Sequence, residues 1–90
     1  MAIVFLPTPL RRYANGQAKV QAEGGTLGEI LANLDAAYPG LKERVFDESG
    51  EIKRFIQVFV NDEDVRFLEG LETVVKEGDS LAIIPAVAGG

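Results

Sequence analysis

The chain has 90 residues, with nine Lys and Arg against fourteen Asp and Glu for a formal charge of −5, and it has neither histidine nor cysteine. That length builds one modest core, and the missing residue types exclude disulfides, Cys/His metal sites and catalysis by a thiol or an imidazole. No stretch gathers Lys and Arg into a stripe, so neither nucleic acid nor an anionic membrane is an expected partner.

The opening MAIVFLPTPL has no basic n-region, and Pro7 interrupts its apolar run. It reads as a strand over Ile3 to Leu6 rather than as a signal peptide, and with no apolar run of membrane-span length the expected location is the cytoplasm. LRRYANGQ supplies Asn15-Gly16, a pair that tolerates positive φ in a turn. QAKVQAE then puts Ala18, Val20 and Ala22 on one face, which predicts a second strand forming a hairpin with the first.

The next segment is a helix with both ends marked. Thr26 and Glu29 make a T-x-x-E capping box. Leu27, Ile30, Leu31, Leu34 and Tyr38 fall on one stripe, and Pro39-Gly40 ends it. A one-sided stripe lies across a single apolar surface, and a sheet is the obvious one. After it, Leu41, Val45 and Phe46 allow a short helical turn, with a loop over Asp47 to Gly50.

FIQVFVN alternates clearly, with Ile56, Val58 and Val60 directed to the core and Phe55, Gln57 and Phe59 to the other face. NDEDVRF predicts a turn and a short return strand around Val65 to Phe67. LEGLETVVKEGDS reads as a loop, one helical turn and a tight turn at Glu77-Gly78-Asp79, and LAIIPAVA is the last strand. Proline donates nothing to a ladder, so the paired part is expected to end near Ile84. The first and last strands are the most uniformly apolar, which predicts that they lie side by side at the centre. The expected fold is α+β of the β-grasp, ubiquitin-like kind: a mixed sheet of four to five strands with one main helix across it. A domain over 1–85 would carry a mobile tail over 86–90.

Little inside this domain suggests chemistry. Asp62, Glu63 and Asp64 read as a solvated turn, since no His or Cys can complete a metal site around them. Ser49 and Ser80 have no imidazole to activate them. Gly24-Gly25 precedes the helix without the Lys and Ser/Thr of a phosphate loop, and Arg11-Arg12 is an ordinary surface pair. The end of the chain is different. Ala86, Val87, Ala88, Gly89 and Gly90 are small, so they suit passage through a constriction, and Gly90 offers its α-carboxylate without a Cβ. A carboxylate becomes a useful electrophile only after activation. Any reaction there happens in another protein's active site, with this tail as substrate.

Taken together, TLGEILANLDAAYPGL, FVNDEDVRF, EGDSLAIIPAVAGG and the LPTPLR entry resemble the sulfur-carrier proteins of the MoaD/ThiS type, ubiquitin-like domains ending in Gly-Gly. The likeness runs essentially end to end and is greatest toward the CysO-type carriers of cysteine biosynthesis. The resemblance implies that an E1-like adenylating enzyme uses Mg-ATP to convert the Gly90 carboxylate to an acyl-adenylate. A sulfur donor then leaves a thiocarboxylate, and the sulfur passes to an acceptor on a second enzyme. In the cysteine pathway that acceptor is held by a pyridoxal-phosphate-dependent cysteine synthase, and a metal-dependent peptidase releases the product. The carrier itself binds no cofactor and is not an enzyme. Gly89 and Gly90 match the family's functional residues, Ala86 to Ala88 match its extended tail, and Phe59 and Phe67 are candidates for the partner-facing surface. The small subunit of molybdopterin synthase, working with its large subunit, and a modifier joined to lysines through Gly90 use the same end. A ubiquitin-like binding module would leave that end unused.

Overall fold

The computed structural model describes residues 1–85. Among them, five strands form one mixed sheet: β1 (Ala2–Phe5), β2 (Lys19–Ala22), β3 (Ile56–Val60), β4 (Glu63–Asp64) and β5 (Ser80–Pro85), in the order β2-β1-β5-β3-β4. β1 and β5 pair in parallel at the middle, and the other neighbours are antiparallel. The helices are α1 (Thr8–Arg11), α2 (Leu27–Ala37) and α3 (Leu41–Val45). This is the β-grasp arrangement, with the two most apolar strands adjacent as their composition requires. None of the described helices is long and apolar enough to cross a membrane.

α2 forms as its sequence dictates. Thr26 Oγ1 accepts from the Glu29 N–H at 3.3 Å. The reciprocal arm reaches one residue further than in a simple capping box, because Glu29 Oε1 accepts from the Gly25 N–H at 2.7 Å. Leu27, Ile30, Leu31 and Leu34 are buried, and Tyr38 packs half-buried at the helix end. Their stripe joins one core with Val4, Leu81, Val58 and Ile83, which stand at alternate positions along the strands. Two further bonds pin the helix start to the chain before β5: Leu27 N–H to the Thr73 carbonyl and Val75 N–H to the Gly25 carbonyl, each 3.0 Å.

Gly24 is required where the chain enters this helix. A Cβ there would stand 2.7 Å from Ile30 Cγ1 and 2.8 Å from the Ile30 backbone nitrogen, at a φ of +153°. The helix backbone cannot yield as a side-chain tip can. Gly24→Ala is therefore expected to destabilise the domain by about 1–3 kcal/mol, lowering the melting temperature by roughly 4–8 °C per kcal/mol for a domain of this size. Thermal unfolding followed by circular dichroism checks this, and an unchanged transition would show that the glycine is dispensable.

Three expectations need correction. β1 and β2 are antiparallel neighbours, but the tight hairpin between them is replaced by α1 and a 3-10 turn over Arg12–Ala14. Pro9 falls in the first turn of α1, where its missing N–H costs nothing, and buried Leu10 and Ala14 anchor the segment. Asn15 (φ +55°) and Gly16 (φ +81°) do turn the chain, as the exit from this helical stretch. Ala18, expected on the core face with Val20 and Ala22, is exposed ahead of β2.

The return strand lies earlier than expected, at Glu63–Asp64, and Val65–Phe67 is a 3-10 turn. Asn61 (φ +50°) and Asp62 (φ +72°) make the two-residue connection between Val60 and its partner Glu63. Positive φ at both centres is the hairpin geometry that Asn and Asp tolerate. Asp64 Oδ1 then accepts from the Arg66 N–H at 2.9 Å and diverts the chain out of the sheet. The paired part of β5 ends at Pro85, opposite Ile56, near Ile84 as expected. At the opposite end of β5, the Lys76 N–H first and the Asn61 side chain second hold the Asp79 carboxyl below its ordinary value.

Candidate functional site

β5 occupies the middle of the sheet with both edges paired. Ser80 to Ala82 lie against Ile3 to Phe5 of β1, and Leu81 to Pro85 lie against β3. The strand leading to the chain end is thus gripped from both sides up to Pro85, whose partner is Ile56. The predicted reactive end, Gly90 with Gly89, Ala88, Val87 and Ala86, lies outside the described residues. Five residues reach at most roughly 17 Å when extended, enough to carry a terminal group into a cleft deeper than a side chain.

The sheet face away from α2 holds a row that crosses all five strands. Lys19 pairs with Phe5, Phe5 with Ala82, Ala82 with Phe59, and Phe59 with Asp64. A lysine stands at one end of the row and a carboxylate at the other. Between them two phenylalanines flank an alanine, whose short side chain leaves a saddle between the larger groups. Ile84 follows on the same face, opposite Gln57 and one residue before Pro85. Phe5 and Ile84 are 43% and 44% exposed, so the apolar surface is accessible and continues to the root of the tail. An exposed apolar patch rimmed by charges is a recognition surface in outline.

The structure divides the two predicted surface residues. Phe59 is half-buried in this row, between Ala82 and Asp64. Phe67 does not share its strand register, because the pairing ends at Asp64 and Phe67 belongs to the following 3-10 turn; its ring is 87% exposed. The correction follows from the early end of β4. Phe5 and Ile84 were missed as members of the face. Phe5 alternates with core-facing Val4, and that signal was present, but its neighbour across the sheet depends on a pairing made with the far end of the chain.

The other candidates are occupied structurally. Ser49 Oγ donates to Asp47 Oδ1 at 2.6 Å, and the same carboxylate oxygen accepts from the Ser49 and Glu51 N–H groups. These bonds, the Ser49 hydroxyl's foremost, hold the Asp47 carboxyl below its ordinary value and close the loop. The Ser80 N–H donates to Asn61 Oδ1 at 3.0 Å, fastening β5 to the β3–β4 turn. Asp62 and Glu63 are exposed and Asp64 is half-buried, with Asp62 in the turn and its two neighbours in β4.

Comparison with known proteins agrees with this arrangement along the whole chain. Residues 4–90 match the ThiS family. The chain is 51% identical over 89 residues to the sulfur carrier protein CysO of Mycobacterium tuberculosis (strain ATCC 25618 / H37Rv), covering 97% of this chain and 96% of that one. The crystal structure of Mycobacterium tuberculosis CysO superposes with a TM-score of 0.93 at 47% identity, over 97% of this chain and 100% of that one. A chain of the Amycolatopsis orientalis BexX/CysO complex gives a TM-score of 0.94 at 48% identity, with both chains fully covered. The family match over residues 4–90 and the likeness of the described fold lead to one conclusion: the chain belongs to the ThiS family.

Proposed function

We propose that this protein is a sulfur carrier, a protein substrate handed between enzymes, whose working group is the α-carboxylate of Gly90. The observation that carries the reading is the placement of β5. This strand, at the centre of the sheet and paired on both edges, ends at Pro85, and A-V-A-G-G follows it. The domain is a handle and the end is the cargo site. An E1-like enzyme supplies Mg-ATP; the Gly90 carboxylate attacks the α-phosphorus, and pyrophosphate leaves. Sulfide-level sulfur released by a donor as HS− then adds to the acyl carbon of the adenylate, and AMP departs with the bonding electron pair, leaving a thiocarboxylate once the S–H proton is lost to solvent. Sulfur stored this way is a soft nucleophile that does not diffuse off as sulfide, and the chain has no cysteine to exchange with it.

The Phe5–Ala82–Phe59 saddle with Ile84 is the surface we assign to partner recognition, because it runs up to the tail's root. Phe67 is a second, separate contact. The carrier binds no cofactor; ATP, Mg and pyridoxal phosphate belong to partners. Similarity to CysO over nearly the full chain favours cysteine biosynthesis, with a pyridoxal-phosphate-dependent cysteine synthase taking the sulfur and a metal-dependent peptidase releasing the product, all in the cytoplasm.

Intact-mass measurement tests the reading. Protein treated with its activating enzyme, Mg-ATP and a sulfur donor is expected to become heavier by the difference between a sulfur and an oxygen atom. An unmodified mass with every component present would sink the proposal. Conjugates bearing a Gly90–lysine link in place of the thiocarboxylate would make the protein a modifier.

A further inference from the structure

A cationic edge surrounds the root of the tail. β1 and β5 run parallel, so their carboxyl ends lie together, and the pairing of Ile56 with Pro85 brings the start of β3 to the same edge. Arg11 and Arg12 follow β1 in α1 and the turn after it, Lys53 and Arg54 precede β3, and Arg66 donates to the Ile56 carbonyl at 2.8 Å. With Arg44 of α3, six of the chain's nine cationic residues converge on one edge of a protein whose net charge is −5. They lie far apart along the chain, and only the fold collects them.

A cavity of about 380 Å³ opens here beside Pro85, lined by apolar Pro7, Leu10 and Ile56 and by cationic Arg12, Arg44 and Lys53. The arginines are set in advance. Their guanidinium carbons stand 5.3 and 5.4 Å from the centroid of the Tyr13 ring, and Arg44 Nε donates to Tyr13 Oη at 2.7 Å. A guanidinium already held against a ring loses less freedom when it meets a carboxylate. Among the described residues the one ion pair joins the amino terminus to Glu77. Asp47 lines neighbouring hollows with Lys53, Arg54 and Arg66 without pairing to them, and the cavity beside Pro85 itself is lined by no carboxylate.

Two occupants carry the complementary charge. For the chain's own terminal carboxylate to occupy the edge, five residues would have to be ordered at about 1–2 kcal/mol each, while an exposed ion pair returns only about 0–1 kcal/mol. A protein that already holds the tail in its own cleft meets that ordering cost with its own contacts. We propose that the Arg12–Arg44–Lys53 edge docks on a carboxylate-lined rim at the mouth of the activating enzyme's tail channel. This rests on the sulfur-carrier reading above. The cations steer the carrier tail-first, and the acidic remainder of its surface disfavours other orientations.

The test is steady-state thiocarboxylate formation by the activating enzyme, with the parent, Arg12→Glu, Lys53→Glu and Lys76→Glu compared at low and high salt. Lys76 lies in the turn before β5, at the opposite end of that strand, and its reversal makes the same change in net charge. At ~50 mM salt, Arg12→Glu and Lys53→Glu are each expected to raise KM about tenfold with kcat kept, and the gap should narrow at ~500 mM salt as screening shortens. Lys76→Glu should stay within about twofold of the parent, since its charge lies away from the tail. Thermal unfolding of each variant verifies that the fold is retained. Equal KM values for all four proteins, or the same loss for Lys76→Glu as for the other two, would overturn the docking edge while leaving the carrier reading intact. A parent never converted to thiocarboxylate would overturn both.

Discussion

Deleting Gly90, or adding one residue after it, is expected to abolish thiocarboxylate formation while leaving the thermal transition essentially where it was. The two halves of this result have separate causes. Chemistry at a carboxylate needs that carboxylate at a set distance from the domain, and one residue moves it by about 3.3–3.6 Å in an extended segment. A displacement of about 1 Å from reactive geometry already costs about a hundredfold. A new terminal residue other than glycine also brings a Cβ next to the reacting carbon. Stability is different, because among the described residues the last core member is Ile83, and chain ends contribute little to stability. Intact mass and differential scanning calorimetry on the same samples read both halves. A large fall in melting temperature would show that the end is structural, and retained activation would remove Gly90 from the reaction.

Leu81→Ala is expected to give the opposite pattern. Leu81 is fully buried in the central strand, in register with Val4 of β1 and Val60 of β3. Truncating a buried leucine costs about 2–5 kcal/mol through lost transfer energy and the cavity left behind. The total stability of a domain this size is only about 5–13 kcal/mol, so the melting temperature should drop by roughly 10–30 °C. No contact with a partner is removed. Activation should therefore fall only as the folded population falls and recover fully on cooling to where the variant is folded. Urea unfolding with parallel activation assays at several temperatures would show this. A variant fully folded by those measurements yet still poorly activated would mean that β5 shapes the tail's presentation beyond merely holding it.

These contrasting outcomes follow from a division between handle and cargo, and the saddle of Phe5, Ala82 and Phe59 belongs to the handle. Its central alanine is a consequence of register. Ala82 faces away from the core between two phenylalanines, and a longer side chain there would fill the gap that a partner side chain can enter. Ile84 continues that surface to Pro85, so the proposed recognition surface and the root of the proposed cargo end share one strand.

What the residues by themselves determined were features whose partners are close in the chain. The T-x-x-E start, the Leu27–Ile30–Leu31–Leu34 stripe and the Pro39-Gly40 stop specify α2, because helical contacts connect residues three or four apart. The alternation of Ile56, Val58 and Val60 specified the buried face of β3, and the small residues up to Gly90 pointed to the end proposed as the cargo site. The folded structure alone decided the rest. Local turn chemistry misled at LRRYANGQ, where Asn15-Gly16 ends a helical insertion anchored by Leu10, and at VRF, where the Asp64 cap bends the chain away from the sheet. The recognition row and the cationic edge depend on β5, from the end of the chain, inserting between β1 and β3. Arg12 and Arg44 meet across the Tyr13 ring, and Lys53 joins them at the same cavity, because tertiary packing brings together residues whose separation along the chain carries no periodic signal.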